Sequence, residues 1–342
     1  MSILVNLRFC LLFFLLSSLP AHATENYHID QMSADEAYAH GALLRAQFKT
    51  REARQYLKYA ADKGHADAAY LYAMDSLEYR HSARISEHAQ QYLEQAAEGQ
   101  SLFGLNYIYQ FGDWVSRAKR SNYQTQYFNL LIELGATQPG RAFLLLSEYF
   151  HHSDPELSNY YLSKARAFEL PQAEMTYATR LEHGEGDYFF DSSRNAAIRD
   201  SYFTAASEGY IPATKKYVAL LEQQGKFEQA LQWRQKALAQ GDVTSLVTLA
   251  RIYSGQSTRY RFVSADLAKA KAYLEHYLET AGKDRLLQTY EKVEQDYKDI
   301  IEMMSAPQLA QADQIKQELV NQPPFYHHDY LWLENAERVI FE

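Results

Sequence analysis

Cysteine is almost missing from this sequence: its one copy, Cys10, lies close to the N-terminus. Disulfides, thiolate catalysis and cysteine-held metals are therefore excluded for everything downstream of that segment. Stability has to come from an apolar core, and roughly 320 residues are ample for one. Long apolar runs are also missing. The longest, Phe9 to Leu16, has eight residues, where a membrane span needs about 20. Positive charge is short as well, with Lys and Arg at 34 against 43 Asp and Glu and a net charge of -9. No dense basic cluster offsets that balance, which argues against nucleic acid or an anionic lipid surface as partner. The signatures of catalysis are absent too: no Gly-x-Ser-x-Gly elbow, no His-Glu-x-x-His helix, and no phosphate loop ending in Gly-Lys-Ser/Thr. Strand-like alternation of useful length is nowhere to be found.

The short apolar run has a specific context. It follows a single early charge, Arg8, and gives way to Ser17, Ser18 and then Ala21-His22-Ala23. A short apolar core before a small-x-small site is the pattern of a secretory signal peptide. Cleavage is expected after Ala23, leaving a chain that begins at Thr24 with neither a transmembrane anchor nor lipidation, because no cysteine follows the cleavage site. The expected location is the periplasm, with full secretion as the alternative.

Past that point one pattern recurs. Tyr56-Leu57-Lys58-Tyr59-Ala60-Ala61-Asp62-Lys63-Gly64 is matched by Tyr92-Leu93 through Ala96-Ala97-Glu98-Gly99, by Tyr202-Phe203 through Ala205-Ala206-Ser207-Glu208-Gly209, and by Trp233 through Ala237-Leu238 to Gly241. Weaker copies end near Gly135, Glu169 and Gly282. The interval, about 32 to 41 residues, is that of helix-pair solenoids. An aromatic residue and a small pair four residues later lie on one helix stripe, so alanine admits a neighbouring helix while the ring fills the space beside it. Glycine after the last turn can take the left-handed conformation that caps a helix. The short link then forces an antiparallel hairpin, which must stack on others to bury its apolar face. Stacked in a line, such hairpins predict a rod or crescent longer than it is wide.

These residues resemble the Sel-1-like repeat, a relative of the tetratricopeptide repeat. Ala173-Glu174-Met175-Thr176-Tyr177-Ala178-Thr179-Arg180-Leu181-Glu182-His183-Gly184-Glu185-Gly186 is similar to the family's first helix and its Gly-x-Gly loop. Leu249 to Gly255 and Leu105 to Gly112 are similar in part, and Gly225 to Leu231 reads like a tetratricopeptide repeat. The resemblance implies an all-α, right-handed superhelical solenoid of antiparallel helix pairs. Three parts are expected: a signal peptide over 1–23, the repeat array over 24–300, and a capping helix with an aromatic tail over 301–342.

Gly64, Gly99, Gly184, Gly186, Gly209 and Gly241 are expected to be structural. Two lengthened loops carry aromatic residues: Asp187 to Arg194, with Tyr188, Phe189 and Phe190, and Ser257 to Val263. Loops on a rigid scaffold often carry binding, so Tyr188, Phe189 and Phe190 are candidate partner contacts, although the plainer expectation is that they tuck against the adjacent helix. The tail, Phe325 to Trp332, is expected to fold back and seal the last helix pair; otherwise Tyr330 and Trp332 are partner contacts as well. Glu182, Glu185 and Asp187, and the pairs His151-His152 and His327-His328, read better as solvated or structural groups than as metal ligands. No cofactor, metal or catalytic residue is expected. The resemblance implies a protein-protein interaction scaffold or adaptor for an envelope assembly, of the polysaccharide-export or motor type, with protein partners in the cell envelope. A glycan- or peptide-binding carrier and, further off, a hydrolase stay open.

Overall fold

The structure, a computed structural model, describes residues 29–77 and 85–328. The expected signal peptide over 1–23, Tyr330 and Trp332 lie outside the described residues. Helices follow one another in hairpins: α1 (Ala34–Ala46) with α2 (Thr50–Asp62), α3 (Ala66–Leu77) with α4 (Glu87–Glu98), α5 (Leu102–Phe111) with α6 (Arg117–Leu134), and α7 (Pro139–Phe150) with α8 (Pro155–Ala167). Then come α9 (Pro171–Glu182) with α10 (Asp191–Ser207), α11 (Ile211–Gln223) with α12 (Phe227–Ala239), α13 (Val243–Tyr253) with α14 (Leu267–Thr280), and finally α15 (Leu287–Met303) and α16 (Ala306–Val320). Each helix from α1 to α14 packs on the next along the chain, and α14 takes both α15 and α16 on its side. This is an all-α repeat solenoid of helix-turn-helix units.

Local chemistry sets the helix starts. Ser86, Ser101, Ser116, Asp154, Asp242 and Asp266 each accept a backbone N–H from the first turn of the helix that follows, satisfying a donor that the helix cannot. Proline opens α7, α8 and α9, where its missing N–H costs nothing. The small pairs behave as their spacing predicts: Ala60, Ala61, Ala96, Ala97, Ala205 and Ala206 are fully buried. A Cβ added at Gly104 would stand 2.7 Å from that of Ala96, so α5 rests almost backbone-on-backbone against α4. The repeat period reappears in side-chain bonds between neighbouring hairpins. Gln95 donates to the Ala61 carbonyl and Ser101 to Asp67, each pair 34 residues apart.

Two buried arginines tie hairpins together. Arg45 meets Asp75 at 2.6 Å with both side chains fully buried, joining α1 to α3. Arg180 on α9 donates to the Ser147 and Ser158 hydroxyls, both at 3.0 Å, reaching α7 and α8. Neither pairing carries a sequence signature.

The glycine expectations need one correction. Gly64, Gly184, Gly186, Gly209 and Gly241 hold positive φ, but Gly99 sits at φ -79. Gln100 supplies the left-handed residue there, at φ 62. Gly99 is required for closeness instead, since an added Cβ would lie 2.8 Å from that of Ala66. Glu169 likewise takes the left-handed position, at φ 56, at the end of a copy that lacks glycine.

The larger correction concerns shape. The array does not run out as an open rod; it turns back until its first hairpin meets its last. Gly282 N–H donates to the Gln47 carbonyl at 2.7 Å, and Asp284 N–H to that of Phe48 at 3.3 Å. Phe48, 1% exposed, belongs to the same apolar core as Leu274, Tyr277, Ile300 and Phe325. After α16 the chain also returns. Tyr326 N–H donates to the Gly241 carbonyl, Val243 N–H to that of Tyr326, and His327 N–H to that of Ala46. The described part of the tail therefore seals the α12–α13 turn against the α1–α2 turn. Residues 278 positions apart touch, as the Gln47 side chain donates to the Phe325 backbone carbonyl at 2.9 Å.

Candidate interaction surface

The α9–α10 loop is built to hold its aromatic residues in a fixed place. Gly184 N–H returns to the Leu181 carbonyl and Glu185 N–H to that of Arg180, both at 3.0 Å, which closes α9 through a left-handed glycine. Gly186, at φ +86, turns the chain a second time, so close to α9 that an added Cβ would meet Leu181 at 2.9 Å. The chain then lies back over its own helix. Tyr188 hydroxyl pairs with that of Tyr177 at 2.8 Å. The Arg166 guanidinium stacks over the Tyr177 ring at 3.8 Å and also holds Glu174 at 3.0 Å. Burial, and then the Tyr188 hydrogen bond, push the Tyr177 phenol upward, so Tyr177 is neutral at any physiological pH.

Tyr188 is thus the anchor, and the two residues after it face outward. Phe189 is 92% exposed and Phe190 62%. Their rings meet edge to face at 4.8 Å and 83°, an arrangement that aromatic quadrupoles favour. Phe190 is also the residue that starts α10, in extended geometry, with Arg194 N–H bonded to its carbonyl. A pinned base and a helical exit hold the backbone that carries these two rings. Burying either in a partner would contribute about 1.5–3 kcal/mol. Asp187 and Asp191 are exposed beside them, which gives the apolar tip an acidic rim.

The carboxylates of this region do not assemble into a site. Glu182 turns to Lys216 at 3.3 Å, Glu185 lies 3.7 Å from His151, and Asp187 stays exposed. His151 and His152 touch each other's rings at 4.8 Å. Among the described residues no group of three His, Cys, Asp or Glu is placed to hold a metal ion, and no helix is long and apolar enough to cross a membrane. The second lengthened loop serves packing. Tyr260 is 4% exposed and donates to Glu222 at 2.5 Å, a carboxylate that Arg234 also holds at 2.6 Å. Phe262 is the exposed aromatic residue of that loop. Sequence reasoning missed four other exposed rings, Phe111, Tyr160, Phe168 and Phe203, which sit where the helix pattern gives no sign of their direction.

No family model matches the sequence, and no curated protein matches it. Solved structures do. The protective antigen c5321 of uropathogenic Escherichia coli, described as displaying an SLR fold, is 15% identical over 92% of this chain, with a TM-score of 0.41. This chain spans 65% of that antigen's length. A Sel1 repeat protein from Oxalobacter formigenes is 18% identical, covering 85% of this chain and 88% of its own, with a TM-score of 0.38. Protein 5086 of Pseudomonas aeruginosa is 18% identical, covering 75% and 87%, with a TM-score of 0.39. The likeness is one of architecture and carries nothing about activity; what this chain binds has to be read from its own surface.

Proposed function

We propose that this chain is a periplasmic scaffold that holds another envelope protein, and that the Phe189–Phe190 tip is its principal contact. One observation carries the reading: the most exposed large apolar side chain among the described residues, Phe189, stands on a loop fixed at both ends. Exposed apolar groups on rigid loops are costly in isolation and are the anchors around which interface energy concentrates. The absence of an ordered acid-base or metal-binding group in the same region favours binding over catalysis. Export through the segment ending at Ala23, and service in an assembly of the polysaccharide-export or motor type, are the finer parts of the proposal. Tyr330 and Trp332 are a second candidate pair of contacts.

The test compares the wild type with a Phe189→Ser/Phe190→Ser variant as bait in envelope extract. The expected result is a defined protein partner retained by the wild type and weakened at least 30-fold by the variant, the loss of about 2 kcal/mol that marks a hot spot. Melting should be unchanged, because both side chains are exposed. Equal retention by the two baits would remove the tip from the interface. A copurifying sugar in place of a protein would favour the carrier reading instead.

A further inference from the structure

The turn-back of the C-terminal segment concentrates histidine where the array closes. His328 and His276 are buried, and His327 is half-buried. The Phe325 ring, 2% exposed, meets the His276 imidazole edge to face at 4.9 Å. His327 lies 5.5 Å from Phe48, the residue that the first hairpin contributes to the C-terminal core. His328 stacks on Tyr326 at 4.2 Å. Two glycines are cut to fit this seam: a Cβ on Gly241 would stand 2.9 Å from the Pro324 carbonyl oxygen, and one on Gly282 would stand 2.5 Å from that of Phe48.

The charged groups around the seam are unfavourable to a protonated imidazole on most sides. Lys215 of α11 and Arg285 of the α14–α15 connection both face the strap histidines. Asp242, at the start of α13, is the one opposing charge among the described residues, and it is already engaged. Burial works against its ionisation, but Lys215 at 3.1 Å and the Ser245 and Thr244 hydroxyls hold it below the usual carboxylate range. Around His276, Glu279 of the same helix and Lys316 of α16 oppose one another. Lys49 donates to the Glu279 carbonyl, and Asp284 accepts from Arg51 N–H, so both are committed to the closure itself.

We propose that residues 323–328 form a pH-sensitive latch: docked, they clamp the first hairpin to the α12–α13 turn, and mild acid releases them. Burial, with Lys215 pushing the same way, lowers His327 to about 3 and His328 to about 4, while Asp242 pulls both upward. A released strap has ordinary imidazoles that titrate near 6.5. It therefore binds more protons than the docked strap at any pH below that value. Docking is at full strength above pH 6.5 and weakens as pH falls toward the docked values. Between pH 7.5 and 5.5 each histidine weakens docking by roughly tenfold, and the two together by about 100-fold.

The backbone bonds of the strap provide the readout. Amide hydrogen exchange, followed by NMR and corrected for intrinsic rates, is measured at Val243, Tyr326 and His327, whose N–H groups are bonded only by the docked strap or its seat. Their protection is expected to drop about 100-fold from pH 7.5 to 5.5, while that of Leu249 and Ala250 inside α13 is unchanged. In His327→Gln and His328→Gln single variants the drop should shrink to about tenfold, which remains readable even if the double variant fails to dock. Constant protection in the wild type overturns the latch. A full 100-fold drop in both single variants overturns the assignment of these histidines as its sensors.

Discussion

Closing the array depends on Gly282, and replacing it with alanine isolates that dependence. Gly282 lies between α14 and α15, so no helix loses a residue or a cap. Its φ is ordinary, so alanine brings no backbone strain of its own. The new Cβ would nevertheless stand 2.5 Å from the Phe48 carbonyl oxygen and 2.8 Å from Lys49 Cγ. The first of these is backbone and cannot step aside without moving the first hairpin. Opening the contact removes two inter-end hydrogen bonds, from Gly282 to Gln47 and from Asp284 to Phe48, worth about 1 kcal/mol each. It also withdraws part of the burial of Phe48, worth about 1.5–3 kcal/mol in full. A loss of about 2–4 kcal/mol is expected on these grounds. Thermal melting followed by circular dichroism should show an unchanged helical signal at low temperature and an earlier transition, with the first hairpin leaving before the rest, as a quasi-linear array allows. Gly255→Ala is the control. It meets nothing within 4 Å and costs only the strain of its positive φ, about 1 kcal/mol, without touching the closure. If Gly282→Ala melted like the wild type and kept the protection of its own and the Asp284 amide, the ends would not be held together as described.

Two further substitutions test the interior and the turns. Arg45→Met should cost about 3–5 kcal/mol in chemical denaturation, because it strands the fully buried Asp75 carboxylate; adding Asp75→Leu should recover much of that loss, and a double variant as weak as the single would refute the pairing. Glu169→Gly should raise the melting temperature, since it relieves an exposed left-handed residue by up to about 1 kcal/mol; a drop would mean that the Glu169 side chain contributes more than its strain costs.

Most helices were legible in the sequence because their signals are local. Tyrosine-alanine stripes, serine and aspartate caps, and glycine after the last turn each act within a few residues, and the buried Ala96-Ala97 and Ala205-Ala206 pairs repay that reading. The exceptions are also local. Gln100 and Glu169 occupy left-handed positions that composition alone would assign to glycine, because the surrounding helices dictate the turn and tolerate its modest strain. Closure was not legible. The contacts of Gln47 with Phe325 and of Arg51 with Asp284 span 278 and 233 residues, and the small rotation that each hairpin adds to the superhelix leaves no mark on periodicity. The aromatic loop was legible as a loop, but only the Tyr188–Tyr177 hydroxyl pair separates its anchor from its two exposed rings.

The scaffold reading is tested most directly by a photo-reactive phenylalanine analogue placed at position 189 and cross-linked in living cells. Ile132, 53% exposed at the end of α6 and remote in sequence from the loop, supplies the control position. The account predicts one discrete adduct with an envelope protein from position 189 and none from position 132, lost when Tyr188→Ala unpins the loop. No adduct at 189, or the same adduct from both positions, would contradict it.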